Sequence, residues 1–279
     1  MAMRSWWLTV CERNPFTTFL FFGVKTRVYC ENLLEISHLR NYYRDYLCDD
    51  EAADISVSLT AGGLGFMSCL LREDITKTIS VRFGSAEWIV YEQFSRQARR
   101  ITPIPPFGLS PLADRLRLLH ASAATLRSGT SKLTLVVFGD SGAGKSSILM
   151  TLLGEGWLFV CDDMLVVDLE QRVLPFTRPI GIREGLLLSL PSLWQERVRS
   201  SGTLVQGGRQ PTYMIHPRDL GVEIDSEPAS NVVTIQLNRG DQFSLRRVSQ
   251  RKMVLHWRPE LHQDAFLKWA RNQEVLPWK

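Results

Sequence analysis

At 279 residues the chain is long enough for one large domain or two modest ones, each with its own core. Hydrophobic residues make up 44% and charged residues 22%, the proportions of an ordinary soluble globular protein. The formal charge of +4 is mildly basic, and its densest runs, RQARR (96–100) and RRVSQRK (246–252), carry no interleaved aromatics, so no nucleic-acid partner is expected.

The apolar run PFTTFLFFGV (15–24) is too short to span a bilayer, and Glu12 and Arg13 interrupt any signal-peptide pattern. The five cysteines show neither a CxxC pair nor zinc spacing and read as buried or free thiols of a reducing compartment. A cytoplasmic protein with no membrane partner is expected. KTRVYC (25–30), ADISVSLT (53–60), KTISVRFG (77–84) and EWIVYEQF (87–94) have the alternating or β-branched character of strands. Between the first two, Leu33, Ile36, Leu39, Tyr43 and Leu47 recur at helical spacing. ITPIPPFGLSPL (101–112), with Pro103, Pro105, Pro106 and Pro111, is the clearest boundary signal. It predicts a smaller α+β domain over 1–108 and a second domain over 109–279.

Beyond the boundary, LADRLRLL (112–119) reads as a helix. HASAATLR (120–127) and LTLVVFG (133–139), joined by the polar turn SGTSK, read as a hairpin that feeds a glycine-rich loop. SSILMTLLGEG (146–156) is a short helix ending at glycines, and WLFVCDD (157–163) is a strand. MLVVDLEQRVLPF (164–176) reads as two strands about the turn DLEQ. Further on, NVVTIQLNRG (231–240) and QFSLRRVS (242–249) read as strands and PELHQDAFLKWARNQ (259–273) as a closing helix. The order of elements predicts an α/β fold.

The segment GDSGAGKSS fits the phosphate-loop pattern G-x-x-x-x-G-K-[ST], with Gly139, Gly144, Lys145 and Ser146 in the fixed places. Glycines let successive backbone N–H groups turn inward as an anion nest, and the following helix adds its positive end. Gly139, Asp140, Ser141, Gly142, Ala143, Gly144, Lys145, Ser146 and Ser147 are therefore the expected nucleotide-binding residues. Lys145 supplies a charge for the β- and γ-phosphates, and the Ser146 hydroxyl is a ligand for Mg²⁺.

Asp162 and Asp163 end the strand after the loop helix, where ligands of open α/β sheets bind. Two carboxylates there suggest two roles, one holding Mg²⁺ and the other taking a proton from an attacking hydroxyl. The N-K-x-D motif of GTPases and the LSGGQ-like signature of ABC ATPases are both missing, and motors and switches separate loop and acidic strand by far more chain.

GDSGAGKSS, GWLFVCDD at this spacing and the preceding LHASAATL together resemble the HPr kinase/phosphorylase family over roughly residues 119–183. The resemblance implies a phosphoenolpyruvate-carboxykinase-like P-loop kinase core beside a variable N-terminal domain, with ATP and Mg²⁺ as cofactors. By position it makes Asp162 the general base, Asp163 a metal-side or histidine-side partner, and His120 the histidine beside the catalytic carboxylates. Ser147 stands where that family usually has glutamate, and its phosphorolysis loop is not found. RVLPFTRPIGIREG (172–185) instead resembles the shorter members found beside peptide-modification genes, among them kinases of the C-terminal serine of lasso-peptide precursors. Arg178, Arg183 and Glu184 of that segment are candidates for phosphate or substrate contacts. His216 and Arg218 are left without a role. The resemblance implies a peptide or small-protein substrate and leaves a homo-oligomer open. HPr itself as substrate, and a nucleotide-binding regulator without phosphoryl transfer, are the alternatives.

Overall fold

The computed structural model describes residues 15–30, 33–49, 52–61, 77–83, 87–93, 105, 107, 111–205 and 211–271. The mixed α/β class expected from the sequence is what these residues form, with several separate sheets. None of their helices is long and apolar enough to cross a membrane. The chain divides into two compact units, Met1–Arg115 with Gln206–Gln210, and Leu116–Val205 with Pro211–Lys279.

In the first unit, β1 (Phe16–Phe21) and β2 (Val24–Tyr29) form an antiparallel hairpin. Its two turn residues, Phe22 and Gly23, both take positive φ, the geometry whose twist matches paired strands. The run 15–24 is too uniformly apolar to show alternation, yet it supplies β1, with Phe19 and Phe21 fully buried. Helix α1 (Leu33–Tyr42) ends before Leu47, the last residue of the expected helical pattern. A single 3₁₀ turn, Arg44–Tyr46, intervenes, and Leu47 instead bridges Phe19 of β1. Ile36 and Leu39 of α1 are buried, and the Tyr43 ring meets Phe19 and Phe21 edge-on at 5.8 and 5.3 Å. Strands β3 (Ile55–Ala61), β4 (Lys77–Phe83) and β5 (Glu87–Gln93) complete a sheet ordered β1-β2-β3-β4-β5, with β2 and β3 parallel. Helix α2 (Leu112–Arg115) closes this unit.

The second unit opens with β6 (Leu116–Leu119), a correction to the helix expected over 112–119. Leu112, Leu116 and Leu119 do recur at helical spacing, but residues 116–119 pair antiparallel with β10 (Leu165–Asp168), and that ladder overrides local propensity. Strands β7 (Ala121–Ser128) and β8 (Ser131–Phe138) make the predicted hairpin. Helix α3 (Lys145–Gly154), β9 (Leu158–Cys161) and β11 (Val173–Leu174) lie close to their expected places. The sequence then left unread β12 (Ile180–Arg183), α4 (Glu184–Ser189), α5 (Ser192–Ser201), β13 (Thr203–Val205), β14 (Thr212–Ile215) and α6 (Pro217–Leu220). Strands β15 (Val232–Arg239), β16 (Ser244–Ser249) and β17 (Lys252–Trp257) precede helix α7 (Pro259–Arg271).

The largest sheet has the order β16-β17-β15-β8-β7-β9. Strands β8, β15 and β17 are mutually parallel, so their carboxyl ends share one edge. Helix α3 is apolar nearly all round and buries Ile148, Leu149, Met150, Leu152 and Leu153 against this sheet and β12. Phe266 and Ala270 of α7 seal the other end of the core over Trp257, and Arg271 clamps Glu155 through two hydrogen bonds of 2.6 and 2.8 Å.

The far end of the β7–β8 hairpin is held by a buried carboxylate. Asp225 accepts from Arg127 at 2.9 Å and lies 2.8 Å from the Lys132 ammonium. Burial opposes its charge, but bonds from Lys132 and Thr125 and the Lys132 charge outweigh it and hold its carboxyl below the ordinary value. A lowered carboxyl pKa contributes stability that is present above the ordinary carboxyl range and is lost as pH falls through the folded value. Asp225→Asn should therefore cost about 2–4 kcal/mol at neutral pH, because Lys132 and Arg127 lose their buried counter-charge. Urea unfolding midpoints of the two proteins should converge on acidification; equal midpoints at pH 7 would remove the clip from the account of stability.

Candidate functional site

The glycine-rich loop runs from the end of β8 to the start of α3 and is seated on β15 and β17. A Cβ at Gly139 would lie 3.0 Å from both the carbonyl oxygen and the Cβ of Leu237, a strand neighbour, so only glycine lets the loop leave the sheet here. Gly144, at φ +101°, turns the chain into α3 through a conformation that side chains disfavour. The indole N–H of the fully buried Trp257 donates to the Ala143 carbonyl at 3.3 Å, fixing the loop from the far side.

Lys145 is only 7% exposed, and its ammonium folds back onto the Gly139 and Asp140 carbonyls at 2.8 and 3.1 Å. Burial lowers its pKa, opposed by the charges of Asp163, Asp162 and Asp140. Arg183, exposed at the end of β12, is near enough to act on Lys145 in the same direction as burial.

Asp162 is 4% exposed at the end of β9. Its Oδ1 accepts from Ser122 at 2.6 Å, and the Ser146 hydroxyl lies 3.1 Å from both carboxylate oxygens. Burial raises its pKa most; the Ser122 bond lowers it, Asp163 raises it, and Arg178 and Ser146 lower it. Asp162 is therefore a sheltered carboxylate shared between two hydroxyls. Cys161, next to it, is buried and its thiol is pushed well up by desolvation, which leaves it an inert core group.

Asp163 is the opposite case. Its backbone takes φ +64°, an uncommon conformation outside glycine, and this turns the side chain away from that of Asp162 into solvent at 53% exposure. There it meets His120 Nδ1 at 2.9 Å and Arg178 at 3.2 Å. His120 Nδ1 also lies 3.1 Å from the Asp163 carbonyl oxygen. Both neighbours of Nδ1 are acceptors, so in the neutral ring Nδ1 carries the hydrogen and Nε2 the lone pair. The histidine side chain is 54% exposed, open to a reactant. Arg178 reaches this cluster because Phe176, fully buried, hydrogen-bonds its N–H to Val160 of β9 and lays the 176–178 segment along that strand.

No protein-family model matches the chain, and no curated protein does. Among solved structures, the Hpr(Ser) kinase/phosphatase from Coxiella burnetii aligns at a TM-score of 0.32 and 13% identity, over 57% of this chain and 97% of that one.

Lys145, Ser146, Asp162, Asp163, His120 and Arg178 thus meet at one end of the main sheet, with Arg183 within electrostatic reach. One expected pairing differs: Ser146 touches Asp162 rather than Asp163. Of the two places expected for Asp163, metal-side or histidine-side, it takes the histidine side. Glu184, exposed at the start of α4, forms no ion pair with a described residue. His216 is buried and caps α6, its Nδ1 accepting from the Arg218 N–H at 3.4 Å. Ser122 was not singled out from sequence, although its place two residues after His120, at the start of β7, was a usable signal. Leu237 and Trp257 carried no such signal.

Among the described residues no three His, Cys, Asp or Glu side chains cluster as a metal site. Mg²⁺ does not need one, since it retains waters and phosphate oxygens and takes one or two hard protein oxygens. The Ser146 hydroxyl beside the Asp162 carboxylate is a donor set of that kind.

Proposed function

We propose that this chain is a Mg²⁺- and ATP-dependent kinase that phosphorylates a serine hydroxyl of a peptide or small protein in the cytoplasm. In its most specific form the acceptor is the C-terminal serine of a lasso-peptide precursor. In this reading 109–279 is a P-loop, phosphoenolpyruvate-carboxykinase-like catalytic domain and 1–108 a variable domain. The observation that carries it is the division of labour in the acidic pair: Asp162 is buried against Ser146 of the loop, while Asp163 orients an open histidine beside it.

The loop amides and Lys145 would hold the β- and γ-phosphates, the ammonium exchanging its contacts with Gly139 and Asp140 for phosphate oxygens. Ser146 and Asp162 would hold Mg²⁺, which would supply neutralising charge to the phosphates. The serine hydroxyl attacks the γ-phosphorus, its proton passes to His120 Nε2, and the bond to the ADP oxygen breaks. Asp163 keeps His120 in the productive tautomer and stabilises the imidazolium that forms. Arg178, tied to Asp163, and Arg183 supply positive charge beside the transferring group. The resemblance implies Asp162 as the base; its burial and its two serine donors favour His120 with Asp163 instead.

The test is incubation of the full chain with labelled ATP, Mg²⁺, HPr and peptides ending in serine. Label on terminal-serine peptides, lost when that serine is replaced by alanine, is the expected result. Label on HPr alone would replace the peptide acceptor by HPr. Bound ATP without transfer to any acceptor would make the chain a nucleotide-binding regulator.

A further inference from the structure

We propose that the adenosine half of the nucleotide binds on the β15–β17 side of the loop, with Asn238 reading the adenine edge and Arg239 covering it. This rests on the kinase reading above. Strands β8, β15 and β17 are parallel and end together, so Phe138, Asn238, Arg239 and His256 fall at the edge where the loop begins. On the other side of the loop, β7 begins with Ala121 paired to Phe138, and β9 ends with Cys161 paired to Ala123. That side is filled by Ser122 bonded to Asp162 and by His120 and Arg178 bonded to Asp163. A nucleoside triphosphate is a chain with the reacting phosphate at one end and the nucleoside at the other. With the γ-phosphate among the carboxylates, the nucleoside leaves the loop over β15 and β17.

The residues waiting there have the chemistry for a purine. Asn238 and His256 are cross-strand partners, both exposed, and the Asn238 amide lies 3.2 Å from His256 Nε2. With Nε2 as acceptor, the imidazole uses one amide hydrogen and fixes the plane of the carboxamide. The second amide hydrogen and Oδ1 of this exposed residue remain as a donor–acceptor pair, which matches the N7 and N6 edge of adenine. Gly240 keeps the following turn tight against this pair, because a Cβ there would come within 3.1 Å of the His256 Cβ. Arg239 is exposed and has no acidic partner among the described residues, so its planar guanidinium is available to lie over a base. The nearby Asp241 is paired with Arg258 at 2.5 Å, so its charge does not oppose an anionic ligand.

The experiment compares dissociation constants of ATP and of tripolyphosphate, each with Mg²⁺, for the full chain and for Asn238→Ala and His256→Ala. Expected is a loss of about tenfold for ATP in both variants, with tripolyphosphate unchanged within about twofold. ATP affinity that stays unchanged in both overturns the adenosine site. So does an equal loss for ATP and tripolyphosphate, since the residues would then act on the loop rather than on the base. If the unaltered chain bound neither ligand, the kinase reading itself would fall, a result distinct from the other two.

Discussion

Asp162→Asn is expected to lower phosphoryl transfer by about 100-fold or more while leaving the protein more stable than before. The carboxylate is 4% exposed, and burial raises its pKa, so the folded state disfavours the charge that the proposed Mg²⁺ site requires. A raised carboxyl pKa means that stability is full below the ordinary carboxyl range and declines as pH rises through the folded value. Asparagine has nearly the same shape and carries no charge. The hydroxyls of Ser122 and Ser146 can rotate to accept from its amide, so no buried polar group is stranded. A gain of about 1 kcal/mol at neutral pH is expected, roughly 2–4 °C in melting temperature, vanishing at acid pH where Asp162 is protonated. Thermal melts at pH 7 and pH 4 beside a transfer assay measure both halves. A variant that is less stable at pH 7 would mean the carboxylate contributes more through its bonds than burial costs it.

His120→Ala should lower transfer by about 10²–10⁴-fold, the range of a lost general base, and added imidazole should restore part of it. Rescue is expected because the ring is half exposed and its removal leaves a solvent-open space bordered by the Asp163 carboxylate and the Asp163 carbonyl. Free imidazole entering that space would find the same acceptors for its N–H. ATP affinity should change little, since His120 touches none of the loop residues in the contacts described. Undiminished transfer in this variant would return the base role to Asp162.

The parts of the site that lie close together in the chain were readable from sequence. Gly139, Lys145 and Ser146 form one contiguous pattern, Asp162 and Asp163 follow one helix later, and His120 stands just before β7, the strand paired with the one that feeds the loop. The division of roles between the two aspartates was not readable, because it depends on the φ of +64° at Asp163, which turns adjacent side chains toward different environments. In the fold, β7, β8, β9 and α3 follow from apolar runs bounded by glycines and polar turns. β6 was hidden because Leu112, Leu116 and Leu119 recur at helical spacing, and only pairing with β10 makes 116–119 a strand. β17 was missed although Met253, Leu255 and Trp257 alternate inward, since the segment KMVLHW is short and lies between basic residues. Trp257 and Leu237 hold the loop from strands remote in sequence, and no local pattern reports such contacts.

The position of β8 also orders events during synthesis. One of its neighbours, β7, is the strand made just before it, but the other, β15, emerges only after everything from β9 to α6 has left the ribosome. Until then the loop has its glycines and its lysine but neither Leu237 nor Trp257 to rest on. A nascent chain would therefore carry the whole phosphate-loop sequence for much of its translation without the surface that shapes it. Long-range closure of this kind is slow compared with hairpin formation. In the proposed reading, nucleotide binding would have to await β15 and β17, and a chain cut short before β15 would display the loop sequence but lack its seat.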